Sequence, residues 1–459
     1  MKQSSASGST VYEAGTLRYT LGGVILVSFW LILGGNCFSM LAWTMVPTVL
    51  PLSLKEFHAS GAAIGLIVGS IPSAMNFVMN PILSTMSDRT RSKWGRRRPY
   101  LIAATPFVGC FVILLGWMPA IARRLHDSAL GGFWELDTFG VWLLAICAVS
   151  FQFFNLIVGS IYYYLFADVI PHRFIGRYMA AMNLAGVATQ MVFNLWVLPG
   201  VTHFLPWVYT GVGSIYLVVF GMMCLLVREG EYPPPPPVEE AGASICKRVA
   251  DWVARYFRQC YRHCFFVFLF MGTALNSAST ACRHLFNLLF ATEELHMTAA
   301  QYGKVMAVGA FVSAGIILLT GYVMDKVHPL RVFLASGIIV ILANIWGYCF
   351  VFDYLSFFVV GIAIAAVYAV QGVSQGPVFV ALFPPDKYGQ FSSANAMMNC
   401  VFAIFANYFG GMAIDRFGYR FIFIWDTLFT VAATFALIYV YVKWKQYGGA
   451  AHYVPPPTD

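Results

Sequence analysis

Twelve long apolar stretches divide this chain, and they leave few folds open to it. A helix that crosses a bilayer needs about 20 mostly apolar residues, and only helices and closed barrels satisfy every backbone hydrogen bond inside hydrocarbon. The stretches lie at roughly residues 22–50, 61–86, 99–118, 139–167, 176–200, 207–227, 264–290, 301–324, 332–352, 354–381, 389–413 and 421–443. The sequence therefore predicts an all-α polytopic membrane protein with twelve transmembrane helices.

The composition excludes the soluble classes of protein. Hydrophobic residues make up 59% of the chain and charged residues 10%, whereas a soluble domain has about 45–50% apolar and 25% charged residues. We therefore exclude a soluble enzyme, a nucleic-acid-binding protein and a disordered scaffold. The ten cysteines are scattered, and a single C-x-x-x-C pair is weak ground for a metal site, so no metal is expected.

The distribution of Lys and Arg predicts the orientation of the chain. With the N-terminus inside, the cytoplasmic segments hold 21 of these residues, the outer segments hold six, and Arg283 lies within a span. Because basic loops stay in the cytoplasm, both termini are expected there. The expected location is the cell (inner or plasma) membrane.

A polar segment divides the chain into six spans and six. We expect an N-terminal bundle at residues 1–227, a cytoplasmic linker at 228–263, and a C-terminal bundle with a short tail at 264–459. The linker holds the proline run Pro233–Pro237, which cannot be helical. Basic and apolar residues then alternate from Lys247 to Arg262. That pattern predicts an amphipathic helix on the anionic inner leaflet; a solvated linker helix is the alternative.

The two halves resemble each other at matching places. Span two runs into Asp88-Arg89 and span eight into Asp325-Lys326, and the spacing of Pro171 to Gly176 equals that of Pro384 to Gly389. Many transporters are built from such duplicated halves, with a site near the membrane midplane.

Polar side chains recur inside the spans at helical spacing, so they share one face of each helix. Such groups are costly in hydrocarbon unless they are paired or face water. The stripes therefore predict a central wet cavity; the alternative is that the amides bond neighbouring helices. The candidate substrate-binding residues are Asn36, Trp43, Asn76, Asn80, Gln152, Asn155, Asn276, Arg283, Asn287, Gln371, Gln375 and Asn399.

The most specific motif is D-R-T-R-S-K-W-G-R-R-R-P-Y at residues 88–100, after span two. Its carboxylate can pair with its arginines, which predicts a latch that holds the two helix bundles closed on the cytoplasmic side and that opens as they rock. A basic loop that only sets topology is the alternative. The candidate gate residues are Asp88, Arg89, Gly95, Arg96, Arg97, Asp168, Arg177, Asp325 and Lys326.

This motif resembles the signature of the major facilitator superfamily, with Ser84 where glycine is usual. The long form resembles the glycoside-pentoside-hexuronide cation symporters and the sucrose-type transporters related to them, as does the exit Ala167-Asp168-Val-Ile-Pro171 after span four. The resemblance covers essentially the whole chain. It implies the two-bundle major facilitator fold and alternating-access transport of a sugar or glycoside, commonly with a proton or sodium ion.

One departure from the family's pattern concerns the coupling ion. Symporters of the melibiose type carry D-x-x-x-D-P in span two, where this chain has Asn76, Asn80 and Pro81. An amide can bond a sugar hydroxyl or lend its carbonyl to sodium, but it carries no titratable proton. Gly411–Arg420 matches the short signature too, but lies outside the membrane and is expected to be a structural turn.

Few charges lie within the spans, and their roles stay open. Arg283 could face the substrate, because guanidinium binds carboxylates and vicinal hydroxyls, or it could pair with Asp426 and leave the cavity neutral. His284 is one step off the polar stripe and is expected to pack.

These observations predict a secondary transporter for a small polar solute, with a sugar or glycoside as the expected substrate. The alternatives are a permease for an anionic hexuronide held by Arg283, a permease for a lipid-like solute, and a transporter-like receptor. Nucleotide-binding and hydrolase motifs are absent from the sequence, so an enzyme and a cofactor are not expected. The expected partners are the solute and membrane lipids, without nucleic acid, and the expected state is a monomer.

Overall fold

Twelve helices in the described part of the chain are long and apolar enough to cross a membrane, which confirms the predicted number and order. The computed structural model describes residues 11–130, 135–232 and 256–457. The helices are α1 (Leu21–Lys55), α2 (Gly61–Arg89), α3 (Arg98–Ser128), α4 (Leu136–Val169), α5 (Ile175–Val201), α6 (Phe204–Leu226), α7 (Cys264–Glu294), α8 (Ala299–Met324), α9 (Pro329–Phe350), α10 (Tyr354–Leu382), α11 (Tyr388–Phe417) and α12 (Phe421–Gln446).

The boundaries of several elements differ from the sequence expectation. α2 continues to Arg89, so Asp88 and Arg89 form its last turn instead of the following loop. A short antiparallel hairpin, β1 (Tyr12–Ala14) and β2 (Leu17–Tyr19), precedes α1 and was not predicted. Gly15 has φ +59° in its turn, a conformation that glycine adopts without steric cost.

The chain divides into two compact units, each made of several separate segments. Unit 1 comprises Met1–Val49, Val78–Phe193 and Gly200–Pro237; unit 2 comprises Leu50–Phe77, Asn194–Pro199 and Val238–Asp459. The first part of α2 and a short piece of α5 thus belong to unit 2. Of the predicted linker, Pro233–Pro237 and residues 247–255 lie outside the described residues, while residues 256–261 form a helical turn.

Unit 1 is held together by close helix pairs, among them α3 with α4 and α1 with α5. A buried tyrosine links three of its helices: the Tyr162 hydroxyl of α4 donates to the Leu31 carbonyl of α1 at 2.8 Å and lies 2.8 Å from the Tyr178 hydroxyl of α5. A buried hydroxyl needs such partners, because an unpaired one costs about 1–3 kcal/mol. Gly35 provides the space, since a Cβ there would overlap the Tyr162 hydroxyl.

Unit 2 is built around α7, which packs against α11 and α12, while α10 packs against α8 and α9. An aromatic cluster fills one end of this unit. Phe266 of α7 meets Phe391 of α11 with ring centroids 4.5 Å apart, and Trp444 of α12 is fully buried. Van der Waals packing of this kind holds helices together in a bilayer, where hydrophobic burial gives no drive between them.

A close helix contact in unit 2 joins α2 to α11. Gly61, Gly65 and Gly69 are spaced four apart and present one face of α2. A Cβ on Gly61 would lie 2.6 Å from the Gly411 carbonyl oxygen, and a Cβ on Gly65 would overlap the Asn407 carbonyl. Small residues at this spacing allow two membrane helices to touch along their backbones.

The second signature-like stretch has a different role from the expected turn. Gly411 and Asp415 lie inside α11, and the turn follows at Gly418, whose φ is +81°. The Asp415 carboxylate accepts hydrogen bonds from the backbone N–H groups of Gly61 (2.6 Å) and Ala62 (2.9 Å). A carboxylate at a helix N-terminus is favourable, because it satisfies free N–H groups and meets the positive end of the helix dipole.

We expect Gly65→Val to lower the thermal stability of the purified protein, because the new side chain forces α2 away from α11 and overpacking costs about 1–3 kcal/mol. The matched control is Gly315→Val on α8, where no atom lies within 4 Å of an added Cβ. Thermal unfolding in detergent measures both. Equal stability of the two variants would show that the glycine face is not what holds α2 to α11.

Candidate functional site

An ion pair lies buried in the middle of unit 2. The Arg283 Nε of α7 donates to the Asp426 carboxylate of α12 at 2.7 Å, where the exposed side-chain fractions are 12% and 0%. Arg283 also donates to the Asn344 Oδ1 of α9 at 2.6 Å, and the Tyr368 hydroxyl of α10 donates to Asp426 at 2.7 Å. Four helices therefore meet at one charge-compensated cluster.

This arrangement bears directly on the two interpretations of Arg283. Its guanidinium also lies 4.9 Å from the ring centroid of Phe423, so a carboxylate, an amide and an aromatic face surround it. A charge compensated in this way offers little to an anionic ligand. Asp426 keeps one oxygen, Oδ1, that is buried and has no hydrogen-bond partner among the described residues.

The predicted polar residues of unit 2 lie partly or wholly buried on their helices. The Asn287 amide donates to the Tyr302 hydroxyl at 3.4 Å, and the Asn399 amide donates to the Asn395 carbonyl of its own helix at 3.0 Å. Asn76, in the α2 segment of this unit, donates to the Cys400 sulfur at 3.8 Å. The remaining predicted residues here are Asn276 and Gln371, both buried, and Gln375, half-buried.

The predicted polar residues of unit 1 make hydrogen bonds within their own helix or to a neighbouring helix. The Asn36 amide donates to the Ile32 carbonyl at 2.8 Å, and Asn80 accepts a hydrogen bond from Ser160. Asn155 donates to Gln152 at 3.3 Å on the same face of α4. Trp43 lies in a π-helical turn of α1 and is 72% exposed.

Three of the predicted amides keep an unsatisfied oxygen. The Oδ1 atoms of Asn155, Asn287 and Asn399 are buried and have no hydrogen-bond partner among the described residues. Because nearly all buried polar groups in proteins are paired, amide oxygens left open on predicted faces are candidates to accept hydrogen bonds from a ligand's hydroxyl groups. An asparagine side chain both donates and accepts hydrogen bonds, as does a hydroxyl group, so asparagines suit the binding of a neutral polyol.

The predicted gate residues form a charge cluster within unit 1. Arg96 binds both oxygens of Asp168 at the end of α4, at 2.8 Å each from Nη2, and Arg97 binds Asp88 at 2.6 Å. Tyr232 covers the Arg96 guanidinium at 4.0 Å. Burial works to lower the pKa of Arg96, but its hydrogen bonds to Asp168 and that residue's charge outweigh it, so the pKa stands above its ordinary value. The cluster ties the adjoining ends of α2, α3 and α4.

Sequence reasoning missed Glu229, which anchors this cluster. Its carboxylate accepts from the backbone N–H groups of Arg96 (2.9 Å), Arg97 (2.9 Å) and Arg98 (2.6 Å), at the start of α3. Gly95 makes room with φ +104°, since a Cβ there would lie 2.6 Å from the Glu229 carboxyl carbon. The available signal was a pair of carboxylates, Glu229 and Glu231, just after span six.

The other predicted gate residues lie apart from these contacts. Arg89 ends α2 and is exposed, the Arg177 guanidinium lies 5.9 Å from the Phe174 ring centroid, and the Lys326 ammonium lies 4.3 Å from that of Tyr322. The side chain of Asp325 lies outside the described residues. Asn344 was also missed, although an isolated amide in an apolar helix was the available signal.

The fold and these buried polar faces are those of a membrane transporter, and the sequence match agrees. The profile of the Major Facilitator Superfamily matches residues 32–281 and 269–452, so the chain belongs to this superfamily. The crystal structure of a bacterial homologue of the human lysosomal transporter Spinster, inward-facing and occupied, has a TM-score of 0.66 at 13% identity. The structural match covers 92% of this chain and 97% of the Spinster homologue. At 13% identity the similarity concerns the fold alone.

Curated relatives match over a shorter region. The human membrane-associated transporter protein is 28% identical over 139 residues, which cover 30% of this chain and 24% of the relative. The mouse proton-associated sugar transporter A is 28% identical over 138 residues, covering 28% of this chain and 16% of the relative. The matched region is therefore at most about a quarter of these relatives.

We expect Arg283→Gln to destabilise the protein by about 3–5 kcal/mol, because it leaves the Asp426 charge buried without its partner. Adding Asp426→Asn should recover most of that loss, since no uncompensated charge remains. Thermal unfolding in detergent measures both variants, with Arg173→Gln at an exposed position as the control. A single variant as stable as the parent would contradict this account of the cluster.

Proposed function

We propose that this major facilitator protein is a secondary transporter of a neutral sugar or glycoside, which it moves by alternating access. The observation that carries the proposal is the pairing of Arg283 with Asp426, one helical turn along α7 from Asn287, whose amide oxygen is unsatisfied among the described residues. A cluster without net charge and open amide acceptors match the hydroxyl groups of an uncharged polyol. The name of the mouse relative, a proton-associated sugar transporter, also supports a sugar.

The hexuronide alternative is the weaker one. It needs the Arg283 guanidinium as a counter-charge, yet a uronate would have to displace Asp426 from a 2.7 Å contact and leave that carboxylate buried and unpaired. The cost of an unpaired buried charge is several kcal/mol. We therefore favour a neutral substrate.

We further propose that a proton is the coupling ion and that Asp426 accepts it. The family's acidic pair in span two is replaced by Asn76 and Asn80, which carry no titratable proton. Asp426 is a fully buried carboxylate within a span, and intramembrane carboxylates commonly mark proton pathways. Arg283 and Tyr368 bind Asp426, and Cys282 is the other titratable neighbour.

The proposed location is the cell membrane, with both termini in the cytoplasm, and the proposed working unit is a monomer. The support for the orientation is the distribution of 21 Lys and Arg residues against six. The ends of α2, α3 and α4 that hold the Arg96–Asp168 contact would then face the cytoplasm.

A panel of ligands tests the choice of substrate. Thermal unfolding of the detergent-purified protein is measured against neutral sugars, glycosides and uronates; a ligand at 100 times its dissociation constant adds about 2.7 kcal/mol. We expect a shift with a neutral compound, which Asn287→Leu and Asn399→Leu abolish and Ala432→Leu, at an exposed site of α12, retains. A shift with uronates only would favour the hexuronide permease instead.

The double variant Arg283→Gln/Asp426→Asn, which leaves no buried charge without its partner, tests the coupling ion in reconstituted vesicles. With an imposed pH gradient, we expect the variant to lose uphill accumulation of the sugar but to keep counterflow, because exchange needs no net proton movement. Glu13→Gln, an exposed change in β1, is the control. Proton-driven accumulation that persists in the double variant, or accumulation that follows a sodium gradient instead, would overturn the assignment.

A further inference from the structure

Unit 2 carries a groove of about 480 Å³ between α8 and α9, with α10 as its floor. It arises because α10 packs against both helices, and because the small side chains of Ala335 and Ala366 leave the space between them unfilled. Its walls are almost wholly apolar, and its volume is that of an ordinary ligand site. The larger lining residues are Ile316, Val323, Val332, Ile339, Val367 and Val370.

The groove opens at the surface of this unit. Val323 is 45% exposed and Ile339 is 50% exposed, and both belong to helices whose apolar length suits the hydrocarbon core. Apolar side chains exposed at this depth contact lipid. The groove can therefore take an acyl chain from the surrounding bilayer.

One end of the groove is basic. Arg331, in the first turn of α9, is the charged residue among its lining. The Arg331 guanidinium lies 5.7 Å from the ring centroid of Trp444, and the Tyr441 side chain interacts with both Arg331 and Lys445. The sequence at 320–335 and 436–450 holds four Lys or Arg residues and one acid, Asp325.

We propose that this groove is a binding site for an anionic phospholipid, with an acyl chain between α8 and α9 and the phosphate on Arg331. A guanidinium binds phosphate oxygens through two parallel hydrogen bonds. Basic clusters at the ends of membrane helices bind anionic head groups on the cytoplasmic side, where the distribution of Lys and Arg places this end of unit 2. Lys445 adds a second positive charge. Together with Arg331 it favours a lipid with net negative charge over a zwitterionic lipid, which has no net charge.

The site is separate from the Arg283–Asp426 cluster, and the proposal does not depend on which solute the protein carries. Its test therefore uses lipid binding alone. Native mass spectrometry and thermal unfolding of the full chain are measured with added phosphatidylglycerol and, in parallel, phosphatidylcholine of the same acyl chains.

We expect phosphatidylglycerol to be retained and to raise the unfolding temperature more than phosphatidylcholine does. Arg331→Gln should weaken phosphatidylglycerol binding about fivefold, since one Lys or Arg near the surface contributes about 1 kcal/mol. Ala335→Leu, which fills the groove, should abolish retention. The matched controls are Arg173→Gln, exposed in unit 1, and Ala432→Leu, exposed on α12; both should bind as the parent does.

Each contrary result is decisive. Equal effects of the two lipids would overturn the anionic head group, and an Arg331→Gln variant with parental binding would overturn its role. If Arg331→Gln weakens binding but Ala335→Leu leaves it unchanged, the lipid binds only a basic surface and no acyl chain enters the groove.

Discussion

The buried ion pair of Arg283 and Asp426 is the contact on which the interpretation of this protein depends. Two opposite charges 2.7 Å apart, one of them fully buried, are tolerated in an apolar bundle because each satisfies the other and because Asn344 and Tyr368 complete the cluster. The pair fixes how α7 and α12 pack, it brings α9 and α10 to the same point, and it compensates the charge of Arg283.

Carboxylates at helix N-termini provide a second organising feature of the described structure. Asp415 binds the first N–H groups of α2, and Glu229 binds those at the start of α3. Each depends on nearby glycine, Gly61 and Gly411 in the first case and Gly95 in the second, because the backbone must come close. Each contact consists of two or three hydrogen bonds to backbone N–H groups that the helix itself cannot satisfy.

The sequence predicts the spans well, because they depend on a local pattern. Hydropathy locates all twelve helices, and helical spacing identifies Asn155, Asn287 and Asn399, whose oxygens are left open. Contacts between distant segments were harder to predict. Nothing local distinguishes Asp415 as the cap of α2, 354 residues earlier, or Glu229 as the anchor of Arg96. The pairing of Arg283 with Asp426 depends on where α12 packs against α7. The spacing of residues along α7 carries no information about that packing.

Flux of a labelled neutral glycoside into vesicles that contain this protein alone tests the central claim most directly. Uptake that exceeds empty vesicles, saturates, and is competed by other neutral glycosides but not by uronates is the result expected of a neutral-sugar transporter. Binding of the glycoside without flux would contradict this function and indicate a receptor. Competition by uronates alone would also contradict it and would indicate that Arg283 binds an anionic substrate.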